Sequence, residues 1–223
     1  MKKYAIIAFV ILFSLAGCKK ETATQTTKTE MPASDSNDTS VESASAGVAN
    51  NTIMEAMKSM MDRMHQMQKK GNIDYDLAMN MKEHHKGAID MATAELNSGT
   101  DEKLKAMAGK MKEAQQKEIT SLDKMISKFN GQTSNYDPSK TDNGLGKAIM
   151  DNMQEMMRLP EATGTVDKDF ATMMIKHHKD GIKMGEHILQ YSKSAEFKTM
   201  TMKMIADQKK EIEDLEKWLS ANQ

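Results

Sequence analysis

Shifting the sequence by 93 positions lays residues 52–130 on residues 145–223 without a gap, and 25 of the 79 paired positions are identical. A chain repeated in this way must bury the same apolar face twice, so two like halves are expected to share one core. The identities fall into three groups. Met57/Met150, Met60/Met153 and Met64/Met157 form the first. Asp76/Asp169, Met81/Met174, His84/His177, His85/His178, Ile89/Ile182 and Met91/Met184 form the second. Met107/Met200, Met111/Met204, Gln115/Gln208, Glu118/Glu211, Ile119/Ile212 and Leu122/Leu215 form the third. Because the halves have diverged elsewhere, each retained pair marks a position that both copies need.

Each group sits on one helix. Thr52-Ile53-Met54-Glu55 has the form of a capping box and Gly71 follows Lys69-Lys70 as a stop, which predicts a first helix from about 53 to 70. A second is expected after Asp74 and up to Gly99, and a third from Asp101 to Asn130. In the second half Pro160 closes the first helix and Asp167 opens the second. Gly131–Gly146, with Asn135, Asp137, Pro138, Asn143 and Gly144, reads as the connector. No period-2 pattern appears, so the expected class is all-α: a helical bundle built from two duplicated three-helix halves, 52–130 and 145–223, making one domain over 52–223.

Residues 1–17 read as a leader. Lys2 and Lys3 precede a 14-residue apolar run, Tyr4–Gly17, too short to span a bilayer. The run ends in Leu15-Ala16-Gly17-Cys18, which resembles a bacterial lipoprotein box with Cys18 as the lipidated first mature residue. Acyl chains contribute about 0.8 kcal/mol per buried methylene, so two or more form a stable membrane anchor. From Cys18 to Asn51 the chain is rich in Thr, Ser, Ala and Asn and has no aromatic residue, as expected of a disordered tether of about 30 Å typical span. Cys18 is the single cysteine, which suits an extracytoplasmic location, in a periplasm or on a cell surface, where free thiols oxidise. Charge is balanced, 31 basic against 32 acidic residues, and aromatics are only 4%, so no nucleic-acid partner is expected.

At 100° per residue, Phe170, Met174, His177, Gly181, Met184 and Ile188 fall within about 40° of one line on the second helix. Leu77, Met81, His84, Ala88 and Met91 repeat the stripe, and Glu95 takes the place of the last apolar residue. His84 and His177 are therefore expected to point inward, and His85 and His178 to lie on the flank. On the third helix Met107, Met111, Gln115 and Glu118 share a face with Leu104 and Leu122, as do Met200, Met204, Gln208 and Glu211 with Phe197 and Leu215. A buried Gln or Glu needs a partner, and histidine is on offer. Gln115, Glu118, Gln208 and Glu211 are thus expected to hold the histidines rather than a ligand. His65 and His187 have no counterparts and read as surface residues or auxiliary ligands.

Met outnumbers Leu 22 to 9 from Thr52 onward, the reverse of ordinary usage. Thioethers can serve simply as adaptable core filler. Beside paired histidines they also form a soft, uncharged ligand set that favours Cu(I), with Ag(I) as its mimic, over Mg, Ca or Mn. The candidate ligands are Met81, His84, His85, Met91, Met174, His177, His178 and Met184, with Met57, Met60, Met64, Met107, Met111, Met150, Met153, Met157, Met200 and Met204 as further donors. No Glu precedes a His by three residues, as a di-iron bundle requires, and no phosphate loop or His-Glu-x-x-His motif is present, so no enzyme is expected.

Asp169-Phe170-Ala171-Thr172-Met173-Met174-Ile175-Lys176-His177-His178, followed by Gly181-Ile182-Lys183-Met184, resembles the signature of a CopM-like family of extracytoplasmic copper-binding proteins. Gln208, Glu211-Ile212 and Trp218-Leu219 match that family's third helix. The resemblance implies a ferritin-like helical bundle and Cu(I) binding linked to copper tolerance. The first half departs from it at Leu77, Lys82-Glu83 and Met125-Ile126. The leading expectation is a lipid-anchored Cu(I)/Ag(I) binder that buffers copper or passes it between a donor and an acceptor protein. A metal-free Met-rich interaction module and a copper-dependent oxidase are the alternatives. Cys18→Ser should leave an unprocessed or soluble precursor; membrane fractionation with acyl labelling checks this, and a Ser variant that partitions and labels like wild type would contradict the anchor.

Overall fold

The computed structural model describes residues 41–222, with side chains from residue 52 onward; the leader, Cys18 and the tether up to residue 40 lie outside the described residues. Among the described residues there are six helices: α1 Val41–Gln66, α2 Ile73–Ser98, α3 Glu102–Phe129, α4 Gly144–Met156, α5 Val166–Tyr191 and α6 Ala195–Ala221. The class is all-α, a bundle of two like halves. Moving α2 by 93 residues lands it on α5 end for end, and α3 lands on α6 to within one residue. None of these helices is long and apolar enough to cross a membrane.

The helix starts follow from short polar caps. Asn72 accepts from the Tyr75 N–H, Asp101 from Leu104, Thr165 from Lys168 and Ser194 from Phe197, each satisfying one orphan donor of a first turn. Two expected boundaries differ. The first helix begins at Val41, inside the segment expected as tether, and Thr52 lies within it. Residues 41–51 carry three alanines and no proline, and a helix nucleated on the buried Ile53–Met64 face extends into them without a new nucleus. The same helix stops at Gln66 rather than near 70, because the Lys70 and Gly71 N–H groups donate to the Asp76 carboxylate instead of continuing the ladder. In the other copy Asp169 accepts from the Thr163 N–H and hydroxyl. Gly71 (φ 76°) and Gly164 (φ 91°) are equivalent, and both occupy the left-handed region that makes this turn. α4 likewise ends at Met156, short of the Pro160 expected to close it.

α2 and α5 pack on each other at the centre, α3 covers α2, α6 covers α5, α1 lies across both α2 and α5, and α4 rests on α5. Their direction is fixed by a reciprocal clasp. Asp74, at the start of α2, accepts from the Ser192 hydroxyl and the Lys193 N–H in the turn after α5. Asp167, its duplicate at the start of α5, accepts from the Thr100 N–H (3.0 Å), the Thr100 hydroxyl (2.6 Å) and the Asp101 N–H (3.0 Å) in the turn after α2. Each half holds the other's turn, so α2 and α5 run antiparallel.

Glu95 sits under one arm of this clasp, fully buried, where the other half has Ile188. No donor reaches either of its carboxylate oxygens, so it is held as the acid and donates to Asp167. Burial first, and then the Asp167 charge and that hydrogen bond, push its pKa from 4.5 to about 8. Burial alone would raise Asp167 too, but the bonds from Thr100, Asp101 and Glu95 outweigh it and hold that carboxyl below its usual range. Between pH 4.5 and about 8 Glu95 therefore holds a proton in the folded protein that it loses in the unfolded chain, and its contribution to stability falls as pH rises through that window. The slope approaches about 1.4 kcal/mol per pH unit. Urea unfolding at pH 5, 6.5 and 8 should show the stability of wild type relative to Glu95→Gln, which keeps the donor, falling as pH rises, the histidine contributions being common to both; a difference that does not change with pH would refute the assignment.

Candidate functional site

His84 and His177 are the same position in the two copies, and their rings stack with centroids 3.7 Å apart and planes 28° from parallel. Equivalent residues meet only near the axis that relates the copies, so this stack marks where α2 and α5 cross. His85 follows at 6.4 Å from His84, and His178 at 6.0 Å from His177. Four fully buried imidazoles thus form a continuous chain of contacts through the middle of the bundle. A carboxylate stands at each end: Glu118 Oε2 lies 2.8 Å from His85 Nε2, and Glu211 Oε2 lies 2.9 Å from His178 Nε2. Both oxygens lie off the ring N–H direction, so neither Nε2 gains an aligned hydrogen bond.

The flank expected for His85 and His178 is a correction. They are as deeply buried as His84 and His177, because α2 is enclosed by α1, α3 and α5 together and has no single inward face there. The four residues on the third helices divide. Gln115 and Gln208 are buried and retain unsatisfied polar atoms, whereas Glu118 and Glu211 are partly exposed. Gly181 explains how Gln208 and His84 fit together. A Cβ at that position would come 2.8 Å from Gln208 Oε1 and 2.9 Å from His84 Cε1, so glycine leaves the space both side chains occupy.

Only one of the eight ring nitrogens makes an aligned hydrogen bond: His177 Nε2–H donates to the His84 carbonyl at 2.9 Å. That bond places the proton on Nε2 and leaves the His177 Nδ1 lone pair free and buried. Burial first, and then the neighbouring imidazoles, hold His84 and His177 well below the ordinary histidine range. Both are neutral at pH 7, the form in which imidazole donates a lone pair to a metal.

The methionines divide as well. Met57, Met60, Met64, Met81, Met91, Met111, Met174, Met184 and Met204 are buried, Met107, Met153 and Met200 are partly buried, and Met150 and Met157 are exposed. Their counterparts Met57 and Met64 are covered because α1 packs on both central helices, whereas α4 rests on α5. Of the two unpaired histidines, His65 is exposed and His187 is partly buried, its pKa lowered by burial. Among the described residues no three His, Cys, Asp or Glu side chains converge as a ready chelate. The stack itself prevents it, since lone pairs lie in the ring planes and two stacked rings do not aim at one point.

The reciprocal clasp and the Glu95 acid are structural features that composition and helix phase do not expose. The retained Asp74/Asp167 pair was a signal for the first. The break in the apolar stripe at Glu95 was a signal for the second.

Residues 19–126 and again 74–219 match the family described as Domain of unknown function (DUF305). Each matched stretch contains at least one His-His pair, and the second contains both. The fold is similar to the crystal structure of a DUF305 fragment from Deinococcus radiodurans, with a TM-score of 0.50 and 19% identity over 67% of this chain and 96% of that one. No curated protein matches the chain. The match extends through both copies of the duplicated helices, and the chain belongs to the DUF305 family.

Proposed function

We propose that the protein is a non-enzymatic binder of Cu(I), and of Ag(I) as its mimic, that buffers copper or hands it between partner proteins outside the cytoplasm while anchored through lipidated Cys18. The observation that carries this reading is the set of five buried ring nitrogens, both of His84 and the Nδ1 atoms of His85, His177 and His178, with neither a hydrogen bond nor a carboxylate beside them. Buried polar atoms are nearly always paired, and a cluster of imidazole nitrogens left unpaired calls for a ligand. The core that contains them favours a soft one: seven of the twelve largest fully buried side chains are methionines. Cu(I) takes as few as two or three ligands, so a His with one or two thioethers suffices without a trio of His or carboxylates. The metal would supply a soft acceptor for those lone pairs. Glu118 and Glu211 would hold the outer histidines, and the space left by Gly181 would keep His84 and Gln208 side by side.

The resemblance in the second and third helices of each half supports the same reading, as does the apolar leader ending at Cys18. A Met-rich interaction module has the exposed Met150, Met157 and Met202 in its favour. It offers nothing to the buried nitrogens, which a partner on the surface does not reach.

Changing Met81, Met91, Met174 and Met184 together to Leu separates ligation from packing. The fold should survive at a cost below about 1.5 kcal/mol per site, since the swap conserves volume. Cu(I) affinity, measured anaerobically against a competing chelator, should fall at least tenfold, or about 1.4 kcal/mol. His84→Ala with His177→Ala should weaken binding further than His85→Ala with His178→Ala, whose rings are engaged by Glu118 and Glu211. Unchanged stoichiometry and affinity in the folded Leu variant would remove these four methionines from the ligand set, and the absence of Cu(I) binding by the wild-type protein would overturn the copper reading.

A further inference from the structure

A groove runs over the surface between the C-terminal end of α1 and α4. We propose that it is a second, solvent-facing site for a soft monovalent metal ion, built from Met64, Met67, Met150, Met153, Met157 and His65. It takes the identity of its ligand from the function proposed above, but none of the histidines of the buried chain.

Three observations point to it. Every large apolar side chain lining the groove is a methionine, with no Leu, Ile, Val or Phe among the described residues there. A surface made only to dock a partner helix gains as much from leucine, so packing gives no reason for this restriction. Met150 and Met157 are 46% and 60% exposed, which leaves their sulfurs open to an ion arriving from solution.

The second observation is the state of His65. Its Nδ1 lies 3.1 Å from the Met61 carbonyl, so that Nδ1–H donates and the Nε2 lone pair is left for a ligand. This is the arrangement that metal-binding histidines use, with the far nitrogen tied to a carbonyl to set the tautomer. No carboxylate lines the groove and Lys69 does, so divalent cations that want charged oxygen ligands are disfavoured there.

The third is what lies beneath. Met64 and Met153 also bound a cavity of about 10 Å³ whose lining includes Met184 and His187. That is room for one small ligand atom or a bare ion. Met184 belongs to the same buried stripe of α5 as His177. Thioethers therefore continue from the open groove to the stripe that carries the histidine chain, and the groove is placed to load it.

The test is Ag(I) titration of the full-length chain in detergent, with the methionine methyls labelled with carbon-13 and followed by NMR. Ag(I) is chosen because it does not change oxidation state. The expected result is that the Met150 and Met157 methyl signals shift with bound Ag(I). Met150→Leu, Met153→Leu and Met157→Leu together should remove one Ag(I) equivalent while the buried histidine signals still respond. His65→Ala alone should weaken the groove response without abolishing it. If wild type binds Ag(I) but those methyls stay fixed, or the triple variant binds as many equivalents as tightly, the groove site is wrong and the buried one stands. If wild type binds no Ag(I), both are wrong.

Discussion

Two copies of one histidine meet face to face where the central helices cross. A duplicated chain folding about an axis must place some residue against its own copy, and here that residue is His84 against His177. Neutral rings can stack at 3.7 Å in a dry interior, whereas two imidazolium ions there would repel each other in a medium that screens poorly. Burial and the contact together hold both stacked rings in the neutral form. The contact also blocks partners: buried against each other, the rings have few protein groups within reach, and most of their nitrogens stay unpaired.

The rest of the bundle can be understood as holding that crossing in place. Asp74 and Asp167 tie the end of each central helix to the turn of the other half, far from the crossing, and so fix its direction and register. Asp76 and Asp169 gather the loop before each central helix. Gly181 supplies the space for His84 and Gln208, and at Gly87 a Cβ would strike the Met60 side chain 2.5 Å away at its sulfur, so glycine lets α1 settle onto α2. Thioether side chains fill the irregular gaps that remain. A soft-metal function needs no other framework than this one, since the donors are already in the core.

Helix boundaries were most legible where polar caps and glycines mark them. α2, α3, α5 and α6 begin and end within about two residues of their capping signals, because capping is local chemistry. The start of α1 carries no such mark: its alanine-containing extension reads like a tether, and only the packed turns after it make it helical. Helix phase placed His84 and His177 inward, and it failed for His85 and His178 because a wheel assumes one buried face. α2 and α5 are buried on several sides. Identity between the halves pointed to Glu118 and Glu211 beside histidine, and both stand within 3 Å of one. Met150 and Met157 are exposed although their counterparts Met57 and Met64 are buried, because α1 and α4 have taken different neighbours.

The central claim is that an unpaired imidazole nitrogen of the crossing and thioethers of the core hold a soft ion. X-ray absorption at the copper edge addresses it directly, on the Cu(I)-loaded full chain carrying Leu at 150, 153 and 157 so that the surface groove does not contribute. Sulfur and nitrogen neighbours scatter differently, and the account predicts both in the first shell, with the sulfur lost when Met81, Met91, Met174 and Met184 are also changed to Leu. A shell of nitrogen and oxygen alone, unaltered by those changes, would contradict it.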